Sequence, residues 1–94
     1  LVSKLPDELT NLEYLNCSRT WVSELPDNLS NLEYLDCTNT LVSKLQDELT
    51  NIKHLNFSRT RISELPKGLD NLKYLDCSRT LVSKLPEGLT KTCI

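Results

Sequence analysis

The chain has 94 residues, of which 38% are hydrophobic and 26% charged, and its formal net charge is −2. It contains no apolar run near the roughly 18 residues of a membrane helix and no basic start leading into a signal-like apolar stretch, so no membrane span is expected. Residues 1–50 carry three basic and nine acidic groups and residues 51–94 eight basic and four acidic, but the basic half has little aromatic interleaving, so no nucleic-acid partner is expected either. The charge difference reads as drift among solvent-facing positions, with head-to-tail attraction between unlike ends as the sharper alternative.

Leu1–Thr20 returns without gap or insertion at Trp21, Leu41, Arg61 and Leu81, so the period is 20 residues, and the last copy stops at Ile94. A fixed short period is one supersecondary unit stacked on itself, a solenoid that presents long surfaces of equivalent positions. The single domain 1–94 thus divides into 1–20, 21–40, 41–60, 61–80 and 81–94, about four and a half to five units with no evident polar caps. Because the chain opens on Leu1 and closes in mid-repeat, it reads as a piece of a longer or trimmed array. Gln46 for Pro and Phe57 for Cys look more like natural divergence after duplication than an engineered consensus.

Within each copy the first predicted element is a strand. Tyr14, Leu15, Asn16, Cys17 and Ser18 alternate outward and inward, the pattern of a short half-buried strand. The apolar spacing then widens to steps of three and four, through Val22, Leu25, Leu29 and Leu32, which suits a returning segment of polyproline-like or single-turn helical form. Pro26, Pro66 and Pro86 fit there, where no ladder N–H is needed. Ser30-Asn31 and Asp70-Asn71 supply turn chemistry before the next strand.

Leu12-x-x-Leu15-x-Cys17-x-x-Thr20-x-Val22-x-x-Leu25-Pro26 resembles the leucine-rich repeat, L-x-x-L-x-L-x-x-N-x-L-x-x-L-P, and every copy carries it. The resemblance implies an α/β repeat solenoid: a right-handed coil with a parallel sheet on its concave side and extended or short 3₁₀ segments on its convex side. It also implies a non-enzymatic module that binds a protein partner through the concave sheet. One departure stands out. Thr20, Thr40, Thr60 and Thr80 occupy the position where the family has Asn, whose amide forms a hydrogen-bonded ladder between coils. A Thr hydroxyl has one donor, so the ladder is expected to be weaker, with water or Asn11, Asn31, Asn51 and Asn71 sharing its work.

On that geometry the candidate partner-binding residues are the outward columns. They are Tyr14, Tyr34, His54 and Tyr74; Asn16, Asp36, Asn56 and Asp76; Ser18 and Thr38; Arg19, Arg59 and Arg79; with Trp21 and Arg61 at the edge of the same surface. Tyr, Asn, Ser and Arg are the mixture that rigid recognition surfaces favour. The competing reading is that Tyr stacks on Tyr and Arg pairs with Asp for solubility alone. A second function class is a structural scaffold that self-associates end to end through apolar ends at Leu1–Leu9 and Leu85–Leu89, and a third is a fragment of a larger effector or receptor whose active part lies elsewhere.

No catalytic residue, metal site or cofactor is expected. Cys17, Cys37 and Cys77 share one inward phase and read as small apolar fillers, Cys93 falls out of phase, and no Cys–His cluster has zinc spacing. Free core thiols favour a reducing setting. His54 lacks a catalytic neighbour and reads as a surface variant of the Tyr column. Ser3, Ser23, Ser43, Ser63 and Ser83 recur in every copy, which no nucleophile needs to do. Gly68 and Gly88 form no phosphate loop. The N-x-S/T triplets at Asn16, Asn28 and Asn56 read as chance in a Ser-rich repeat.

Overall fold

The computed structural model describes residues 5, 9–47, 49–66 and 68–83. Four strands, β1 (Tyr14–Asn16), β2 (Tyr34–Asp36), β3 (His54–Asn56) and β4 (Tyr74–Asp76), form one parallel sheet in chain order. The register has no offset: Tyr14 lies beside Tyr34, Leu35 beside Leu55 and Asn56 beside Asp76. Each residue therefore sits on its own copy in the next coil, which is why the 20-residue period tolerates no slip.

The strands are shorter than the five residues expected, but the ladder is longer than the strands. Before them, Tyr34 N–H donates to the Glu13 carbonyl (3.1 Å) and His54 N–H to that of Glu33 (3.0 Å). After them, Cys17 N–H reaches Asp36 O and Arg19 N–H reaches Thr38 O, both at 2.9 Å, and the same pairs recur one coil on. Regular strand ends at Asn16 because the chain enters the left-handed region at Arg19 (φ 58°), a conformation repeated at Asn39, Arg59 and Arg79.

Behind the sheet lies one continuous core. Leu32, Leu35, Cys37, Val42, Ile52, Leu55, Phe57, Ile62 and Leu75 are wholly removed from solvent. Each buried aliphatic side chain of this kind contributes about 1.5–3 kcal/mol before ordering costs. Among the described residues there is no helix and no 3₁₀ segment; the returning segments are irregular, with isolated bends and turns. Pro26 and Pro66 are buried there, and turns closed by Leu32 N–H to Leu29 O (3.2 Å) and Leu72 N–H to Leu69 O (3.4 Å) lead into the next strand, as the Ser30-Asn31 and Asp70-Asn71 pairs predict. Gln46, at the proline position, donates from Nε2 to the Leu25 carbonyl of the preceding coil (3.2 Å). The apolar ends expected at Leu1–Leu9 and Leu85–Leu89 lie outside the described residues, apart from Leu5 and Leu9, which pack against the core.

The threonines at the family's Asn position do not bridge coils. Thr40 Oγ1 donates to the Cys37 carbonyl of its own coil (2.7 Å) and accepts from Val42 N–H (3.4 Å), and Thr20, Thr60 and Thr80 repeat both contacts. Bridging falls to the other amide column: Asn31, Asn51 and Asn71 donate from Nδ2 to Thr10 O (3.1 Å), Ser30 O (2.7 Å) and Thr50 O (3.1 Å) of the coil before. The work divides, with hydroxyls closing each coil and amides tying coils together. Thr40→Val keeps the volume but leaves a buried carbonyl without its donor, so we expect a loss of about 1–3 kcal/mol in urea unfolding, against about 1 kcal/mol or less for the exposed Asn51→Ala. The reverse order would show that the amide column dominates.

Candidate functional site

Zero register turns the outward aromatic column into a stack. Ring centroids are 4.2 Å apart for Tyr14–Tyr34, 4.3 Å for Tyr34–His54 and 4.3 Å for His54–Tyr74, with interplanar angles of 7°, 19° and 10°. The coil spacing of about 4.8 Å nearly matches ring-to-ring contact, so slight tilting closes the gap. His54 is thus the third ring of a continuous four-ring ladder and does more than substitute on the surface. Tyr14 and Tyr74, the outer rings, are exposed, and the inner two are half-buried. The Tyr34 phenol is pushed above its ordinary pKa, first by loss of water and then by the neighbouring Tyr14 phenol and Asp36 carboxylate.

The next outward column is partly engaged within the chain. Asn16, Asp36, Asn56 and Asp76 each accept at Oδ1 from the N–H two residues on, at Ser18, Thr38, Ser58 and Ser78 (3.0, 3.0, 3.2 and 3.0 Å). These are Asx turns. One oxygen of each side chain is committed to turning the chain and is not free for a partner. The Asn/Asp-x-Ser/Thr spacing could have signalled this.

One expectation needs correction. Ser18, Thr38, Ser58 and Ser78 are turn residues rather than strand residues; Ser58 is buried, and Thr38 Oγ1 donates to Asn56 Oδ1 (2.9 Å) while Ser78 Oγ donates to Asp76 Oδ1 (2.8 Å). Arg19, Arg59 and Arg79 follow in the left-handed turn just past the strands. With Trp21 and Arg61 they form the edge at the carboxyl ends of the strands. Arg19, Trp21, Asn39 and Leu41 line a shallow groove of about 340 Å³ on this edge. At the opposite edge the Asn column, Glu13, Glu33 and Lys53 line a polar groove of about 600 Å³, across which Lys53 Nζ and Glu33 Oε1 pair at 3.3 Å.

Cys17 and Cys37 are free and buried. Loss of water is the main cause that raises the Cys17 thiol to about 11 and drives Cys37 higher still. Cys77 corrects the filler reading: it is disulfide-bonded, with a partner outside the described residues. Cys77 follows β4, the last of the four strands among the described residues. Free core thiols as an argument for a reducing setting therefore rest on Cys17 and Cys37 alone. Among the described residues no group of three His, Cys, Asp or Glu is placed to hold a metal ion, and no helix is long and apolar enough to cross a membrane.

The Leucine Rich Repeat family profile matches residues 11–32 and 51–72, each window holding one strand, its left-handed turn and the returning segment. The chain is built from leucine-rich repeats. No curated protein matches it significantly. Leucine-rich repeats generally mediate protein–protein interaction, and domains made of them are typically non-enzymatic.

His54→Ala in this repeat array removes two stacked contacts, each worth about 0.5–1.5 kcal/mol, whereas His54→Tyr preserves the ladder; thermal unfolding should show the first clearly destabilised and the second near wild type. For the thiols, the unfolded chain ionises from about 9.0 upward while folded Cys17 stays protonated to about 11. Stability should therefore fall as pH rises through that window. At pH 8 iodoacetamide should label Cys17 and Cys37 far more slowly in the folded protein than in denaturant, as mass mapping of the labelled sites would read.

Proposed function

We propose that this leucine-rich repeat array is a non-catalytic module that binds a protein partner through its sheet face, with Tyr14, Tyr34, His54 and Tyr74 as the central contact row. The four-ring ladder carries this reading. Rings that already stack on one another lose little side-chain freedom when a partner covers their edges, so ordering them costs less than ordering isolated side chains. Asn16, Asp36, Asn56 and Asp76 flank the row and add hydrogen-bonding capacity while their turns hold them rigid. The partner is a protein surface of mixed polarity that meets aromatic edges and short polar side chains together.

The test is a peptide-display selection against the immobilised protein, followed by affinity measurement with Tyr34→Ala/Tyr74→Ala. The double change also removes all three ring contacts, so a retained circular dichroism spectrum at the assay temperature comes first, and the recovered binders should then weaken by at least about tenfold, or 1.4 kcal/mol. Binders indifferent to the double change would place recognition away from the sheet face.

A further inference from the structure

All four arginines of the chain, Arg19, Arg59, Arg61 and Arg79, lie in the turns at the carboxyl edge of the sheet, and none of the described lysines, Lys44, Lys53 and Lys73, falls in those turns. Within 18–22, 38–42, 58–62 and 78–82, the segments that build this edge, there is no carboxylate, in a chain whose net charge is −2. Arginine is the side chain suited to two-pronged capture of carboxylates. Three of the four occupy left-handed positions, φ 56–58°, where glycine would relieve strain.

Between the arginines runs an apolar ridge. Trp21 is 58% exposed, Leu41 48% and Leu81 63%, although most aliphatic residues of the described coils are buried. Arg61 takes the ridge position in the third coil. Leu41 N–H to Val22 O and Leu81 N–H to Ile62 O, both 3.0 Å, hold ridge residues to the coil before, so they succeed one another at the coil spacing, about 4.8 Å. A helix laid along the solenoid axis offers one side chain per turn of about 5.4 Å and drifts only about 2 Å over three steps. An extended peptide offers same-face side chains about 6.7 Å apart and would be a whole coil out of step over the same distance.

We propose that this edge is a second docking surface, distinct from the ring ladder, and that its occupant is an acidic amphipathic helix running along the coils. Its apolar side chains at i, i+4 and i+11 cover Trp21, Leu41 and Leu81, a carboxylate at i+7 meets Arg61, and further carboxylates beside the stripe reach Arg19, Arg59 and Arg79. A second copy of this chain does not fit: antiparallel ridge-to-ridge packing would set Arg19 against Arg79. A nucleic acid would satisfy the arginines but leave Leu41 and Leu81 facing phosphate and sugar, with Trp21 as the one ring available for a base.

The test uses a fluorescein-labelled Glu-rich helical peptide of about four turns with Leu at i, i+4 and i+11 and Glu at i+7, a counterpart with every Glu changed to Lys, and a labelled single-stranded oligonucleotide, each titrated into the protein and read by anisotropy. The acidic peptide should bind saturably and the other two should not. Trp21→Ala/Leu41→Ala and, separately, Arg59→Glu/Arg79→Glu should each weaken it by at least about tenfold. These side chains are exposed, and an unchanged circular dichroism spectrum confirms that both variants are folded. Tyr34→Ala/Tyr74→Ala should leave this binding unaltered, which separates the edge from the sheet-face reading. No saturable binding of the acidic peptide, equal binding of the Lys peptide or the oligonucleotide, or affinity unmoved in both edge variants would overturn the proposal.

Discussion

Parallel pairing with no offset between coils is the constraint from which the rest follows. Because Tyr14 lies beside Tyr34 and Leu35 beside Leu55, any property of a position is copied along a line at coil spacing. Apolar positions fuse into one core, aromatic positions into a stack, and amide positions into a bridging column. Backbone hydrogen bonds hold this register beyond the strands themselves, through Arg19 N–H to Thr38 O and as far as Leu41 N–H to Val22 O. A one-residue slip would set the strand leucines, Leu15, Leu35, Leu55 and Leu75, beside outward positions and separate the rings.

The two outward surfaces arise from a single backbone event. Up to Asn16 the chain is extended and its side chains alternate across the sheet; three residues later it is left-handed. That reversal separates residues that look contiguous in the sequence. Tyr14 and Asn16 stay on the sheet face, while Arg19 and Trp21 belong to an edge of different chemistry. The Asx turn is what drives it, since Asn16 Oδ1 captures Ser18 N–H just ahead of the left-handed residue.

Periodicity and apolar phase made the coil, its strands and nearly the whole core readable from the residues, because burial in a stacked unit is decided by position alone. The Ser30-Asn31 turn was readable for the same reason. The left-handed turn was not, because arginine is an unfavourable residue there and gives no glycine signal. Nor was the role of Thr40: its inward hydroxyl closes its own coil, and only the three-dimensional path shows that the Cys37 carbonyl lies within reach. His54 was placed in the right column, but the stacking that gives it a role depends on ring tilt that spacing does not encode. Cys77 shares its phase with Cys17 and Cys37, and phase carries no information about which of the three is oxidised.

The bridging side chains also have a direction. Asn31, Asn51 and Asn71 donate to Thr10, Ser30 and Thr50, and Gln46 donates to Leu25, so in each case the later coil reaches back to the earlier one. A newly docking coil meets these carbonyls already in place, while the backbone ladder past the strands runs the other way, from Arg19 N–H to Thr38 O, and closes only when the later coil arrives. Each seam is therefore sewn from both sides, and every coil leaves backbone N–H groups open until its successor docks on it.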